Sequence, residues 1–182
     1  MSVTLTVHDM LAQAPDMVRD QIYALICEAD DAFWPPLRAR TPEQGLSVGE
    51  GAVLDAAPTA YWASIQPHAL ITASDDETGR VLGMMSVARD KRLDALDMTA
   101  SAYLSTLIVA KSAQGRGLAR TLYERLFDLA RSWSEAPCVA TRTWSTNGAH
   151  LPLIAKLGFE ERLRLKDDRG AGIDTVYFLK PL

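Results

Sequence analysis

Cysteine and histidine are scarce in this chain, with two of the former and three of the latter in 182 residues. Two thiols, Cys27 and Cys138, make no disulfide framework, and no metal site is expected. Each lies in an apolar segment and is expected to be a buried free thiol. No run of roughly 18 or more apolar residues occurs, which excludes a membrane-spanning helix. The opening Ser2-Val3-Thr4-Leu5-Thr6 lacks the basic and apolar regions of a secretion signal. The cytoplasm is the expected compartment. Positive charge is not in excess either. A formal net charge of −4 argues against a nucleic-acid surface, which carries a basic face. Internal repeats and low-complexity segments are absent.

What remains is ordinary globular composition. At 48% apolar and 23% charged residues, a chain of this length can bury a core as one domain over 1–182. Val3, Leu5 and Val7 alternate with polar residues, as in a half-buried strand. Pro15 can open a helix whose face is Val18, Ile22, Leu25, Ile26 and Ala29, stopped by Phe33-Trp34-Pro35-Pro36. From Arg38 to Pro58 the pattern predicts a loop with a helical turn, then a short helix over Thr59–Gln66.

Ala69–Ala73 and Val81–Arg89 read as paired strands around a polar turn. A polar stretch from Asp90 to Ser101 leads to a further strand at Tyr103–Val109. Leu118, Leu122, Leu126, Leu129 and Trp133 then mark a core-facing helix. Cys138–Trp144 reads as a strand, and Glu160–Lys166 with Ile173–Leu179 as a final hairpin. Trp34, Trp62 and Trp144 are assigned to the core, where large aromatics usually lie.

The most informative segment is Gln114-Gly115-Arg116-Gly117-Leu118-Ala119, a glycine-bearing turn between a strand and a helix. Such a turn presents free N–H groups beside the positive end of the helix dipole, a site for phosphate. It is not a Walker loop, because no Gly-Lys-Ser/Thr closes it. It is not a dinucleotide fingerprint, because Arg120 stands where the third glycine would be. It resembles the pyrophosphate loop of the GNAT superfamily of N-acetyltransferases, Q/R-x-x-G-x-G/A, with Gln114, Gly117 and Ala119 in its specified positions. Asn147 through Phe159 resembles a second hallmark of that family: an Asn after a strand, a short helix, then Gly158-Phe159 entering another strand. The resemblance is strong over 102–159 and loose elsewhere.

The resemblance implies an α/β (α+β) fold: a mixed, twisted, mostly antiparallel sheet of six to seven strands, flanked by about four helices. It implies an acetyl-CoA-dependent N-acetyltransferase working by direct transfer to an amine, without metal or covalent enzyme intermediate. Backbone groups of Leu107, Ile108 and Val109 would line the pantetheine arm, with the Leu107 N–H on the acetyl carbonyl. Gln114, Gly115, Arg116, Gly117, Leu118, Ala119 and Arg120 would form the pyrophosphate cradle. Arg116 and Arg120 could equally be a solvated helix face. Asn147 would hold the carrier, cap the following helix, or do both. A homodimer joined through the final hairpin is compatible with the family.

The chain departs from the family at the acid. Many members carry a Tyr seven residues after the Asn; here that residue is Ile154, which has no proton to donate. His150, on the first turn of the same helix, is the substitute candidate, weighed against a packing or capping histidine. Tyr103 stands where some members carry a basic Glu; a phenol of pKa about 10 is a poor base, and Tyr103 could instead shape the amine pocket. Ser105 is expected to share its face. The acceptor expected is a small primary amine. A protein N-terminus or lysine, or a weakly catalytic acyl-CoA-binding or sensing role, are the alternatives.

Overall fold

The computed structural model describes residues 2–40, 56–135 and 137–182. Seven strands form one sheet: β1 (Val3–His8), β2 (Ala69–Asp75), β3 (Val81–Leu93), β4 (Met98–Val109), β5 (Cys138–Trp144), β6 (Glu160–Leu165) and β7 (Thr175–Pro181). Four helices accompany them: α1 (Asp16–Ala29), α2 (Thr59–Ser64), α3 (Leu118–Trp133) and α4 (His150–Lys156). The strand order is β1-β2-β3-β4-β5-β7-β6. Every neighbouring pair is antiparallel except β4 with β5. This is the mixed, mostly antiparallel sheet with four helices that the sequence implies.

Two cores sandwich the sheet. On one face α1 sets Ile22, Leu25 and Ile26 against Leu70, Val81, Met84 and Ile108. On the other, Leu118, Leu122, Tyr123, Leu126 and Phe127 of α3 meet Ile71, Met85, Leu104, Val139 and Phe178. The helix stripe predicted for α3 is present, with Leu129 and Trp133 at its half-buried margin. None of the helices among the described residues is long and apolar enough to cross a membrane.

Three expectations change. The stretch Asp90–Ser101 is not a connection: β3 runs on to Leu93 and β4 begins at Met98, so it forms the far end of a long hairpin. Its exposed charged residues read as a loop, yet Leu93 and Ala100 are buried against Tyr103, Ala140 and Leu179 in a small further cluster that holds the hairpin end to the sheet. Cys27 is exposed, because it falls off the Ile22-Leu25-Ile26 face, and Cys138 is only half-buried. Of the loop expected over 38–58, a single 3₁₀ turn at Leu37–Ala39 begins the segment, and 41–55 lie outside the described residues. Trp34 is 43% exposed rather than core.

Candidate active site

The site begins where β4 and β5 part. Their ladder has three rungs, Ala102–Val139, Tyr103–Ala140 and Leu104–Thr141, although β4 continues to Val109 and β5 to Trp144. Thr141 Oγ1 donates to Leu104 O at 3.1 Å and closes the last rung. Beyond it β4 stays with β3 while β5 follows β7, opening a wedge in the sheet.

A bulge sits at the same point. Ser86 opposes Thr106 and Val87 opposes Leu104, so Ser105 is the extra residue in the β3–β4 ladder. An inserted residue reverses which side chains face which way. Ala102 and Leu104 accordingly face the α3 core before the bulge, whereas Leu107 and Val109 face it afterwards. Ile108 turns to the α1 core. Simple alternation along this strand, the basis for pairing Ser105 with Tyr103, therefore does not hold through residue 105. Both nonetheless line the cavity described next.

A cavity of about 1110 Å³ runs through the wedge and touches both sheet faces. At one end it is lined by Leu107, Ile108, Val109, Gln114, Gly115, Gly117, Leu118, Ala119 and Arg120. Gly115 and Gly117 have φ of +74° and +80°, a left-handed backbone that suits glycine. An added Cβ at either would meet nothing within 4 Å, so the loop is open on its outer side. Gly117 begins α3 with no side-chain cap, and the first helical bond is Thr121 N–H to Gly117 O at 3.2 Å. The N–H groups of Leu118, Ala119 and Arg120 thus precede the helical ladder, at the positive end of a 16-residue helix.

Gln114 turns back, its Nε2 donating to Val109 O at 3.2 Å, which ties the loop to the strand end. Arg120 pairs with Glu124 at 2.9 Å on the exposed helix face, the plainer of its two readings. Arg116 is exposed beside it and is also engaged by a neighbour.

Asn147 lies at the cavity's edge and acts as a cap. Its Oδ1 accepts the His150 N–H at 3.1 Å and its Nδ2 donates to Thr143 Oγ1 at 2.9 Å. One amide hydrogen and one oxygen lone pair remain unspent. His150 Nε2 stands 2.7 Å from Tyr123 Oη. Burial pushes the imidazole down to about 4, so the ring is neutral at pH 7. Ile154 is fully buried in the α3 core and does not line the cavity.

The other end of the cavity is aromatic and basic. Phe33, Tyr61, Tyr103, Trp144 and Tyr177 share it with Arg40, Arg142 and Arg169. Trp144, expected in the core, is instead a half-buried wall residue packed on Phe33 at 6.0 Å between ring centroids. Burial pushes Tyr61 up to about 12 and raises Tyr103, so both are neutral phenols near pH 7. Trp34 Nε1 donates to Arg169 O at 2.9 Å, and Arg169 Nη1 donates back to Trp34 O. This reciprocal clasp joins the segment after α1 to the β6–β7 connection.

Sequence reasoning did not single out Tyr61, Tyr177 or the three arginines. One signal was available: Arg142 interrupts an otherwise uncharged strand, Cys138–Trp144.

A family model described as the acetyltransferase (GNAT) family matches residues 26–159. No curated protein matches the sequence. Among solved structures, the ribosomal-protein-alanine N-acetyltransferase of Brucella melitensis superposes with a TM-score of 0.62 at 21% identity, covering 97% of this chain and 99% of its own. A GNAT superfamily phosphinothricin acetyltransferase from Sinorhizobium meliloti, in complex with acetyl-CoA, gives 0.62 at 17% identity, covering 98% and 89%. A protein of Desulfovibrio desulfuricans assigned to the GNAT family gives 0.68 at 14% identity, covering 99% of both chains. At these identities the likeness is one of fold.

Proposed function

Because the chain belongs to the GNAT family of acetyltransferases, we propose that it transfers the acetyl group of acetyl-CoA to the primary amine of a small molecule. The observation that carries this reading is the single cavity linking the glycine loop, the wedge between β4 and β5, and the aromatic chamber. Its volume exceeds the ordinary range for one small ligand, as two substrates in one channel require.

The residues present fit the carrier. An uncapped helix start with two left-handed glycines is open to a pyrophosphate. The segment Leu107–Val109 lines the cavity with β5 no longer beside it, which suits an extended arm lying against the strand. When bound, acetyl-CoA supplies an acetyl thioester whose thiol, with a pKa near 8.5, is a tolerable leaving group.

The chain's own contribution is binding and orientation. The Leu107 N–H is the candidate donor to the acetyl carbonyl oxygen as charge develops there. Asn147 holds the α4 start in place and keeps hydrogen-bonding capacity toward the carrier. The aromatic chamber excludes water around the incoming amine, which must arrive or become neutral before attack. Tyr103 serves this reading as a neutral wall, not as a base. His150 serves it as a packed support for the first turn of α4, since burial keeps the ring neutral and not an imidazolium acid at pH 7.

The test is thiol release from acetyl-CoA by the purified protein with a panel of amines, against an amine-free blank. Amine-dependent release with small acceptors is the expected result. Release only with peptides would replace the small molecule by a protein acceptor. Tight acetyl-CoA binding without turnover on any amine would make the protein a sensor.

A further inference from the structure

The acceptor end of the cavity concentrates positive charge. Arg40, Arg142 and Arg169 come from three separate parts of the chain and line the same chamber. Arg142 follows Thr141, the last residue of β5 paired to β4, and its Nη1 donates to Tyr177 Oη at 3.1 Å. Arg40 rests against the rings of Phe33 and Tyr61, 5.3 and 5.8 Å from their centroids, and among the described residues its one hydrogen bond is from Nε to Pro35 O. Arg169 is 2% exposed and fixed by Thr175 Oγ1 at 2.9 Å and by Trp34 O.

Among the described residues, no carboxylate forms an ion pair with any of the three. Asp168 lies within electrostatic reach of Arg142 and Arg169, its Oδ2 accepting from Thr175 Oγ1 at 2.6 Å, and Asp30 lies within reach of Arg40. Tyr61 and Tyr103, both raised by burial, are neutral and supply no counter-charge. Burial, reinforced by repulsion from Arg40 and Arg142, pushes Arg169 down to about 10; burial, with Arg142 adding, also lowers Arg40. Arg40 and Arg169 are thus held less comfortably as cations and would be relieved by an anion, whereas Arg142, more exposed, is raised because burial is outweighed by its tyrosine neighbours and Asp168. A second observation points to a polar ligand at the same place. Tyr61 Oη is shielded from solvent and, among the described residues, meets no partner at hydrogen-bonding geometry, with Ser105 its neighbouring hydroxyl.

We propose that the acceptor amine also carries a carboxylate, an amino-acid-like zwitterion whose anionic group is held by Arg40 and Arg142 against the fixed charge of Arg169. The inference rests on the acetyl-transfer reading above and narrows it to a substrate class. Arg40 and Arg142 have planar forks with donors to spare, the geometry that takes a carboxylate in two parallel bonds. Polycationic acceptors are disfavoured by the same charge.

The test compares amino acids with their carboxamides and decarboxylated amines as acceptors at saturating acetyl-CoA. Free amino acids should be used with a kcat/KM roughly 10- to 100-fold above their uncharged partners, the loss expected for one charge-assisted contact. Arg142→Gln and Arg40→Gln should raise KM for the amino acid by a similar factor while the acetyl-CoA dissociation constant, the check on folding, stays put. Arg142→Lys should recover only part, because a point charge replaces a fork. Equal use of acids and amides, preference for polyamines, or an unmoved KM in the Gln variants would overturn the carboxylate assignment alone. Absence of acetyl-CoA binding, or of turnover with any amine, would overturn the acetyl-transfer reading and this inference with it.

Discussion

Tyr123 Oη and His150 Nε2 stand 2.7 Å apart, with their rings stacked at 6.0 Å between centroids. The pair seals α4 against α3, and the burial it brings holds the imidazole in its neutral form. The folded value of about 4 lies below the unfolded value of about 6.5. The unfolded chain therefore binds the extra proton first, and stability present above pH 6.5 is lost as pH falls toward 4. The share due to His150 is at most about 3 kcal/mol. Thermal unfolding at pH 7 and pH 5 should show a smaller acid-induced drop for His150→Gln than for the parent. His68, also lowered by burial and then by Lys91, leaves a residual slope of the same sign. An inflection in kcat/KM near pH 6.5 that vanishes in His150→Gln would make this histidine catalytic instead.

Gly117→Ala tests the loop. With φ at +80°, the new Cβ costs about 1–2 kcal/mol of backbone strain while striking no protein atom. It also stands on the side from which an anion would approach. Acetyl-CoA affinity should fall roughly tenfold or more, the equivalent of one charge-assisted bond. Turnover with a short acetyl thioester lacking the pyrophosphate should change far less. Equal losses with both donors would point to a distorted loop and not to a phosphate site.

Asn147→Ala removes a helix cap and the partner of a buried threonine hydroxyl. Stability should drop by about 1–2 kcal/mol. If the unspent half of the amide also meets the carrier, acetyl-CoA affinity falls further than in Asn147→Asp, which keeps the capping oxygen. Calorimetric titration of both variants with acetyl-CoA separates the two roles.

Cys27 and Cys138 should differ in reactivity toward an aromatic disulfide. Cys27 is exposed on α1 and should react at once, whereas burial raises the Cys138 thiol and slows it. Blocking Cys27 should leave acetyl transfer intact, since Cys27 does not line the cavity. Loss of activity on blocking it would bring back a covalent acyl-enzyme.

The glycine-loop end of the cavity was legible because it is contiguous. A strand, a glycine loop, a helix start and a capped turn follow one another between residues 104 and 150, and each leaves a local signature in residue type and spacing. The strand limits of β5 and the face of α3 emerged for the same reason: apolar periodicity reports directly on a packed face. The bulge at Ser105 left no such trace, since one inserted residue in a ladder depends on the partner strand. The acceptor chamber was hidden for a stronger reason. Arg40, Tyr61, Arg142, Arg169 and Tyr177 are each unremarkable in their own segments, and only the packing of the segment after α1 and of α2 against the β5-β7-β6 side of the sheet gathers them. Trp34 and Cys27 were misplaced by the habit of reading apolar type as burial, which fails on the outer side of a helix and its exit.

The clasp between Trp34 and Arg169 spans 135 positions of the chain. A nascent polypeptide leaves the ribosome from its N-terminus, so α1 and its exit wait for almost the whole protein to be made before this bond can close. Strand β7 is the latest in the sequence yet sits inside the sheet, between β5 and β6. Birth order and spatial order therefore run against each other on this side of the molecule. The glycine loop between β4 and α3 can take shape while translation continues, but the wall built from Trp34, Arg142 and Arg169 becomes whole only when synthesis is nearly over.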